Sequence, residues 1–153
     1  MVSDLVIDAH HIHLPPSRAL RITLAFATLV VNAGRAITTN LVSGVGGTLP
    51  RYLGWGTGSG TALVTDTTLF TEDSGGSPAY ARVLTTNTRI TTTVANDTIQ
   101  FAGVLTANAS KTITNVGVFD AVSAGNLFVK GDFTGQLLAS GDSMHITLRT
   151  PFA

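Results

Sequence analysis

Three histidines near the N-terminus are the densest group of chemically capable side chains in this sequence. His10, His11 and His13 fall close together, and Asp8 precedes them. His11 and His13 would point to the same side of an extended chain, because side chains two residues apart share a face. Imidazole is the most common metal ligand, so a weak metal site is one interpretation of the segment.

A partner-contacting arm is the interpretation that the surrounding residues favour. The sequence has no cysteine and no second histidine cluster, and the spacing differs from that of catalytic zinc motifs. Two consecutive prolines follow and disfavour a helix. We therefore predict an extended arm over residues 1–18 that has too little apolar surface to fold alone and that orders against a neighbouring subunit. The predicted contact residues are His10, His11, His13, Leu14, Pro15 and Pro16.

The remaining motifs that could support catalysis are incomplete. Glu72 is the only glutamate, and it adjoins Asp73 in a segment that we predict to be exposed and not desolvated, which does not suit an acid–base pair. The glycines of 54–60 resemble a phosphate-binding loop, but no Gly-Lys-Ser/Thr follows them. A Gly-x-Ser-x-Gly nucleophile motif is absent. We predict no enzyme activity, no cofactor and no small-molecule substrate.

The composition excludes further classes of partner. Nine basic residues balance nine acidic ones, so no net field attracts nucleic acid. The longest apolar stretch, 20–31, is interrupted by polar residues and is too short to span a bilayer. Only 12% of the residues are charged, about half the usual share, which favours association with other protein surfaces.

Alternating hydrophobicity predicts strands along most of the chain. Leu20, Ile22, Leu24 and Phe26 alternate with polar or small residues, which is typical of a strand with one buried face. A single helical turn is predicted over 66–72, and no helix longer than two turns is expected. The other predicted strands cover 37–42, 79–86, 88–94, 98–106, 111–119, 127–133 and 144–150.

This spacing of strands and turns indicates an all-β fold, either an antiparallel β-sandwich or a β-barrel-like single domain over residues 19–153. Trp55 adjoins Tyr52 and Leu53, and we interpret it as a core anchor rather than a platform for a sugar. The predicted core consists of Leu20, Ile22, Leu24, Phe26, Trp55, Phe101, Ile113, Phe119, Phe128 and Ile146.

Several segments of the chain resemble a family of small virion structural proteins of tailed bacteriophages. The resemblance covers roughly residues 50–149 and rests on glycine turns and aromatic core positions. Members are described as head decoration (cement) proteins, tail-fibre-associated proteins or minor structural proteins. The segments that carry the resemblance are 52–58, 66–72, 82–83, 112–120, 125–133 and 141–143.

The resemblance implies a protein that is made in the host cytoplasm and is incorporated into the virion. Its first implication is a decoration protein that binds and stabilises the assembled shell of major capsid protein, as a homo-oligomer that forms a trimer over shell junctions. Its alternative implication is a globular tail-fibre, baseplate or receptor-binding module of the phage tail. Neither implication includes nucleic acid or a membrane as a partner.

Overall fold

The computed structural model describes residues 2–7, 19–20, 25–73 and 82–152. These residues form ten strands and one helix. The helix, α1, spans Asn32–Ser43. The strands are β1 Val2–Ile7, β2 Ala19–Leu20, β3 Ala25–Val30, β4 Tyr52–Gly56, β5 Val83–Leu84, β6 Thr86–Ile90, β7 Thr98–Thr106, β8 Lys111–Phe119, β9 Leu127–Leu138 and β10 Ser143–Pro151.

The strands belong to one curled sheet. Their spatial order is β5-β4-β8-β9-β3-β1-β10-β7-β6, and β2 pairs separately with β10. All pairings are antiparallel except the short parallel one between β2 and β10. The two ends of the order, β5 and β6, are separated along the chain by Thr85 alone. The sheet therefore curls until its ends meet, which confirms the predicted all-β, barrel-like fold.

Side chains from facing parts of this sheet fill the interior. Phe101 of β7 and Phe128 of β9 meet edge to face, with ring centroids 5.7 Å apart. The predicted core is confirmed at six buried positions: Trp55, Phe101, Ile113, Phe119, Phe128 and Ile146. The other four predicted core residues lie outside the part of the chain whose side chains are described: Leu20, Ile22, Leu24 and Phe26.

Helix α1 corrects the predictions that 37–42 is a strand and that no long helix exists. Ile37 and Leu41 are one helical turn apart, and both pack on the core. The helix stops at Gly44, whose positive φ of 70° lets its N–H reach the last carbonyls. Gly34 lies against Phe128, and a Cβ at Gly34 would come within 2.1 Å of the Phe128 carbonyl oxygen. Packing on β9 thus overrides the β-branched residues that suggested a strand.

Two further local predictions differ from the structure. The predicted helical turn over 66–72 is a series of non-helical turns, because Asp66 accepts a hydrogen bond from the backbone N–H of Leu63 behind it instead of capping a helix ahead. The predicted strand over 88–94 ends at Ile90. The Asp97 carboxylate accepts backbone N–H bonds from residues 92–94 and folds them into a turn, and these bonds hold its pKa well below the usual range.

The N-terminal segment is partly described. β1 lies inside the sheet, where Leu5–Ile7 pair with β10 and Val2–Val6 pair with β3. This part of the predicted arm is extended, and it is a strand of the chain's own sheet. Residues 8–18 lie outside the described residues, so the boundary at residue 18 stays a prediction. None of the helices in the described part of the chain is long and apolar enough to cross a membrane.

Candidate interaction surface

The residues predicted to contact a partner all lie outside the described residues. These are His10, His11, His13, Leu14, Pro15 and Pro16. The strands on either side of them both pair with β10: Ile7 lies opposite Ile146, and Ala19 lies opposite Ser143. The predicted contact segment therefore joins two strands that border β10. Within the described ranges, no three His, Cys, Asp or Glu side chains are grouped to hold a metal ion.

The loop between β4 and β5 contains the most elaborate polar contacts of the described chain. Its first part, residues 57–73, is fixed by the buried side chain of Asn115 on β8. Asn115 Oδ1 accepts the backbone N–H of Phe70 at 3.1 Å, and Asn115 Nδ2 donates to the carbonyls of Gly58 at 3.0 Å and Phe70 at 3.1 Å. One amide thus joins both sides of the loop to the sheet.

The glycines that introduce this loop serve close packing. A Cβ on Gly56 would come within 2.4 Å of the Phe70 carbonyl oxygen and 2.7 Å of Asn115 Oδ1. The pattern of alternating glycines in 54–60 suggests unusual dihedral angles, but none of these glycines has a positive φ. Close backbone packing, and not an unusual dihedral angle, therefore explains them.

A buried lysine holds the centre of the same loop. Lys130 of β9 is fully buried, and its Nζ donates to Asp66 Oδ2 at 2.8 Å and to the carbonyl of Thr68 at 3.3 Å. The same Nζ lies 3.0 Å from the centroid of the Phe70 ring, in cation–π contact. Burial alone would raise the pKa of Asp66, but the hydrogen bond and charge of Lys130 and the N–H of Leu63 hold it below the ordinary value.

Asp132 is a second carboxylate of β9 that contacts this loop. Its Oδ2 accepts the backbone N–H of Ala62. Its Oδ1 is buried and has no hydrogen-bond partner among the described residues. Burial raises the pKa of Asp132, against the opposing effects of the Ala62 N–H and the nearby Lys130 charge. The residue is thus a carboxyl group that the fold partly desolvates.

Glu72 and Asp73, which the sequence presented as an exposed acidic pair, are both engaged in ion pairs. Arg82 binds Glu72 through two hydrogen bonds, Nε to Oε1 at 2.6 Å and Nη2 to Oε2 at 2.9 Å. The Arg82 guanidinium also lies 3.3 Å above the Phe119 ring. Asp73 pairs with Lys111. Each carboxylate therefore anchors the end of the loop, and the two do not form an acid–base pair.

One feature of the sequence points to these anchors. Lys130 interrupts the apolar run Leu127–Val129, and an unexplained charge in a buried strand requires a partner. That partner, Asp66, is 64 residues away in the chain, so sequence pattern alone could not identify it. Together the anchors tie residues 57–73 to the sheet.

An apolar groove lies beside α1, away from this loop. It encloses about 290 Å³, and no charged side chain lines it. The buried rings of Phe101 and Phe128 reach into it, while Leu49 and Phe152 stand at its rim half-exposed. Val42 of α1 also lines the groove and is 84% exposed. A groove that connects the core with exposed aliphatic side chains is typical of a binding surface.

Two arginines lie close in the chain to residues that line the groove. Arg51 follows Pro50, and Arg89 lies two positions after Asn87 and opposite Ile99, which also lines the groove. The three ion pairs among the described residues are Arg82–Glu72, Lys111–Asp73 and Lys130–Asp66, so neither arginine has an ionic partner within the described ranges. The apolar lining of the groove thus adjoins the positive charge of Arg89 on β6.

The described residues thus form a β domain in which the buried ionic groups fix a loop and the open apolar surface faces outward, as in a structural or attachment protein. Residues 31–150 match the family model described as "Podophage GP4 fiber I protein gp80". The match spans 120 of the 153 residues, so the chain belongs to this family and is a structural protein of a phage virion. Comparison with curated proteins and with solved structures found no match.

Proposed function

We propose that this protein is a non-enzymatic attachment module, which binds another virion protein and stabilises the assembly. The observation that carries the proposal is the apolar groove between α1 and the sheet, with exposed Val42 and half-exposed Leu49 and Phe152 around it. Exposing these side chains in water is unfavourable, and covering them on a partner recovers the free energy. The buried ion pairs described above all stabilise the loop, which supports a structural role.

The first candidate location of the protein in the virion is the head. A decoration protein would bind the assembled shell of major capsid protein, as a homo-oligomer and as a trimer over the junctions of the shell. Its low charge and its cysteine-free β domain suit permanent non-covalent attachment to a pre-existing lattice. The predicted contact segment, His10 to Pro16, would add to this attachment.

The second candidate location of the protein in the virion is the tail. The description of the family names a fibre protein, and this supports a globular tail-fibre, baseplate or receptor-binding module. The rigid loop over residues 57–73 suits such a module, because preorganised loops bind at a lower entropic cost.

Antibody labelling of intact virions in the electron microscope distinguishes the head location from the tail location. Label over the head, together with binding of the purified protein to shells made only of major capsid protein, supports decoration. Label confined to the tail and binding to host cells support the fibre module. Absence of the protein from purified virions contradicts both. A variant with His10, His11 and His13 changed to alanine leaves β1 in place and tests the contact segment, since undiminished occupancy would show that these side chains are not an anchor.

A further inference from the structure

We propose that the free edge of β6 and the adjoining groove receive an extended, acidic and apolar segment of another virion protein. The proposal rests on the attachment function proposed above and identifies where that attachment occurs. Three features carry it: a strand edge without a second partner among the described strands, an apolar groove next to it, and arginines beside them that have no ionic partner among the described residues.

The strand edge is the first feature. β6 is the last strand of the sheet order and pairs with β7 alone among the described strands. Its residues Thr86–Arg89 are exposed. The Asn87 side chain makes one contact outside the β6–β7 pair, because its Nδ2 donates to the Pro50 carbonyl at 3.0 Å. At Thr88–Ile90 no described strand pairs with the second edge of β6, and an extended peptide can add there by main-chain hydrogen bonds.

The groove is the second feature, and it adjoins this edge. Asn87 lines the groove together with Ile99, the β7 residue that lies opposite Arg89. A strand added along β6 places alternate side chains on one face. One such side chain would enter the groove above Phe101 and Phe128. The volume of about 290 Å³ admits an aliphatic or aromatic group, and the uncharged lining excludes a charged one.

The arginines are the third feature, and they specify the charge of the segment. Neither Arg51 nor Arg89 belongs to an ion pair of the described residues, although the other ion pairs use Glu72, Asp73 and Asp66. A lone arginine on an edge strand discourages pairing with uncharged edges and favours a partner that brings a carboxylate. The occupant is therefore an extended segment in which an acidic residue accompanies an apolar one.

Incorporation of variants into virions tests this proposal. Leu49→Asp adds a charge at the groove rim, and Arg89→Glu reverses the charge on the edge. We expect each to lower the amount of protein in purified virions by about tenfold or more. Leu137→Asp is the control for Leu49→Asp. Leu137 is 70% exposed, and about 30 Å of extended β9 separates it from Phe128. Arg35→Glu, on the exposed face of α1, is the control for the second.

Amide exchange supplies an independent readout. We expect the amides of Thr88–Ile90 to exchange more slowly in virions than in the free full-length protein. Thermal unfolding of each free variant establishes that it folds. Full incorporation of folded Leu49→Asp and Arg89→Glu would overturn the proposal while leaving the virion role intact, whereas absence of the wild-type protein from virions would overturn the virion role itself. Slowed exchange that appears in the free protein as its concentration rises would assign the edge to a second copy and overturn the proposed occupant.

Discussion

The Nζ atom of Lys130, fully buried on β9, lies 2.8 Å from Oδ2 of Asp66 in the loop that follows β4. The pair joins the sheet to a long loop whose described part, residues 57–73, contains no helix or strand. Loops of such length are uncommon in compact domains unless they are functional or disordered. Here buried polar contacts fix the described part of the loop to the sheet.

Removing the carboxylate of this pair should destabilise the fold strongly. Asp66→Ala leaves the buried ammonium of Lys130 with only a carbonyl and the Phe70 ring, and we expect a loss of about 3–5 kcal/mol in the free energy of unfolding. Urea denaturation measures it. Thr65→Ala, at an exposed neighbouring position, is the control and should change the free energy little. A loss equal to that of the control would show that the pair contributes nothing.

Asn115→Ala should release the loop from β8. The variant leaves the N–H of Phe70 and the carbonyls of Gly58 and Phe70 without the amide that satisfies them, and we expect a loss of about 3 kcal/mol. The amides of Thr57 and Gly58 should exchange faster with solvent, because their hydrogen bonds to the other side of the loop depend on the position that Asn115 gives the loop. Asn40→Ala, on the exposed face of α1, is the matched control. Unchanged amide exchange at Thr57 and Gly58 would contradict the role of Asn115 in holding the loop on β8.

Trp55 tests the assignment of the core. The side chain is 1% exposed, and Trp55→Ala should cost about 3–5 kcal/mol in the free energy of unfolding. Trp55→Phe should cost less, since it keeps most of the volume and removes an indole N–H that has no partner in the described structure. Urea denaturation of both variants provides the comparison. Equal losses of stability in Trp55→Ala and Trp55→Phe would mean that the side-chain volume lost at Trp55 does not determine the destabilisation.

The raised pKa of Asp132 predicts a pH dependence of stability. Because the folded state holds this proton more firmly than the unfolded state, whose value is near 3.8, the contribution of Asp132 is present at lower pH and is lost as the pH rises through the raised pKa. Asp132→Asn removes the titration. We therefore expect the stability of Asp132→Asn relative to the wild type to increase as the pH rises above about 4.

Asp66 should act in the opposite direction. Its lowered pKa gives a contribution that is present above the ordinary value and is lost as the pH falls below it. Asp66→Asn should therefore lose its stability deficit relative to the wild type in strong acid. Free energies of unfolding across the pH range check both variants, and a difference that is constant with pH would contradict the assigned shifts.

The sequence by itself determined the fold class and the positions of the long strands. Turn residues and segments rich in β-branched and aromatic side chains marked β7, β8 and β10 to within about one residue of their observed ends, because such side chains favour strands. The size and hydrophobicity of the side chains identified six core positions correctly. These properties depend on neighbours in the sequence, so a single chain reveals them.

Tertiary structure alone decided the helix and the interaction surface. Helix α1 contains β-branched residues that suggested a strand, and it forms because Gly34 allows close contact with Phe128, 94 residues away. The ion pair of Lys130 with Asp66 and the groove beside β6 likewise join residues that are distant in sequence. No local pattern encodes such contacts, because their free energy arises only when the sheet curls and brings its two ends together.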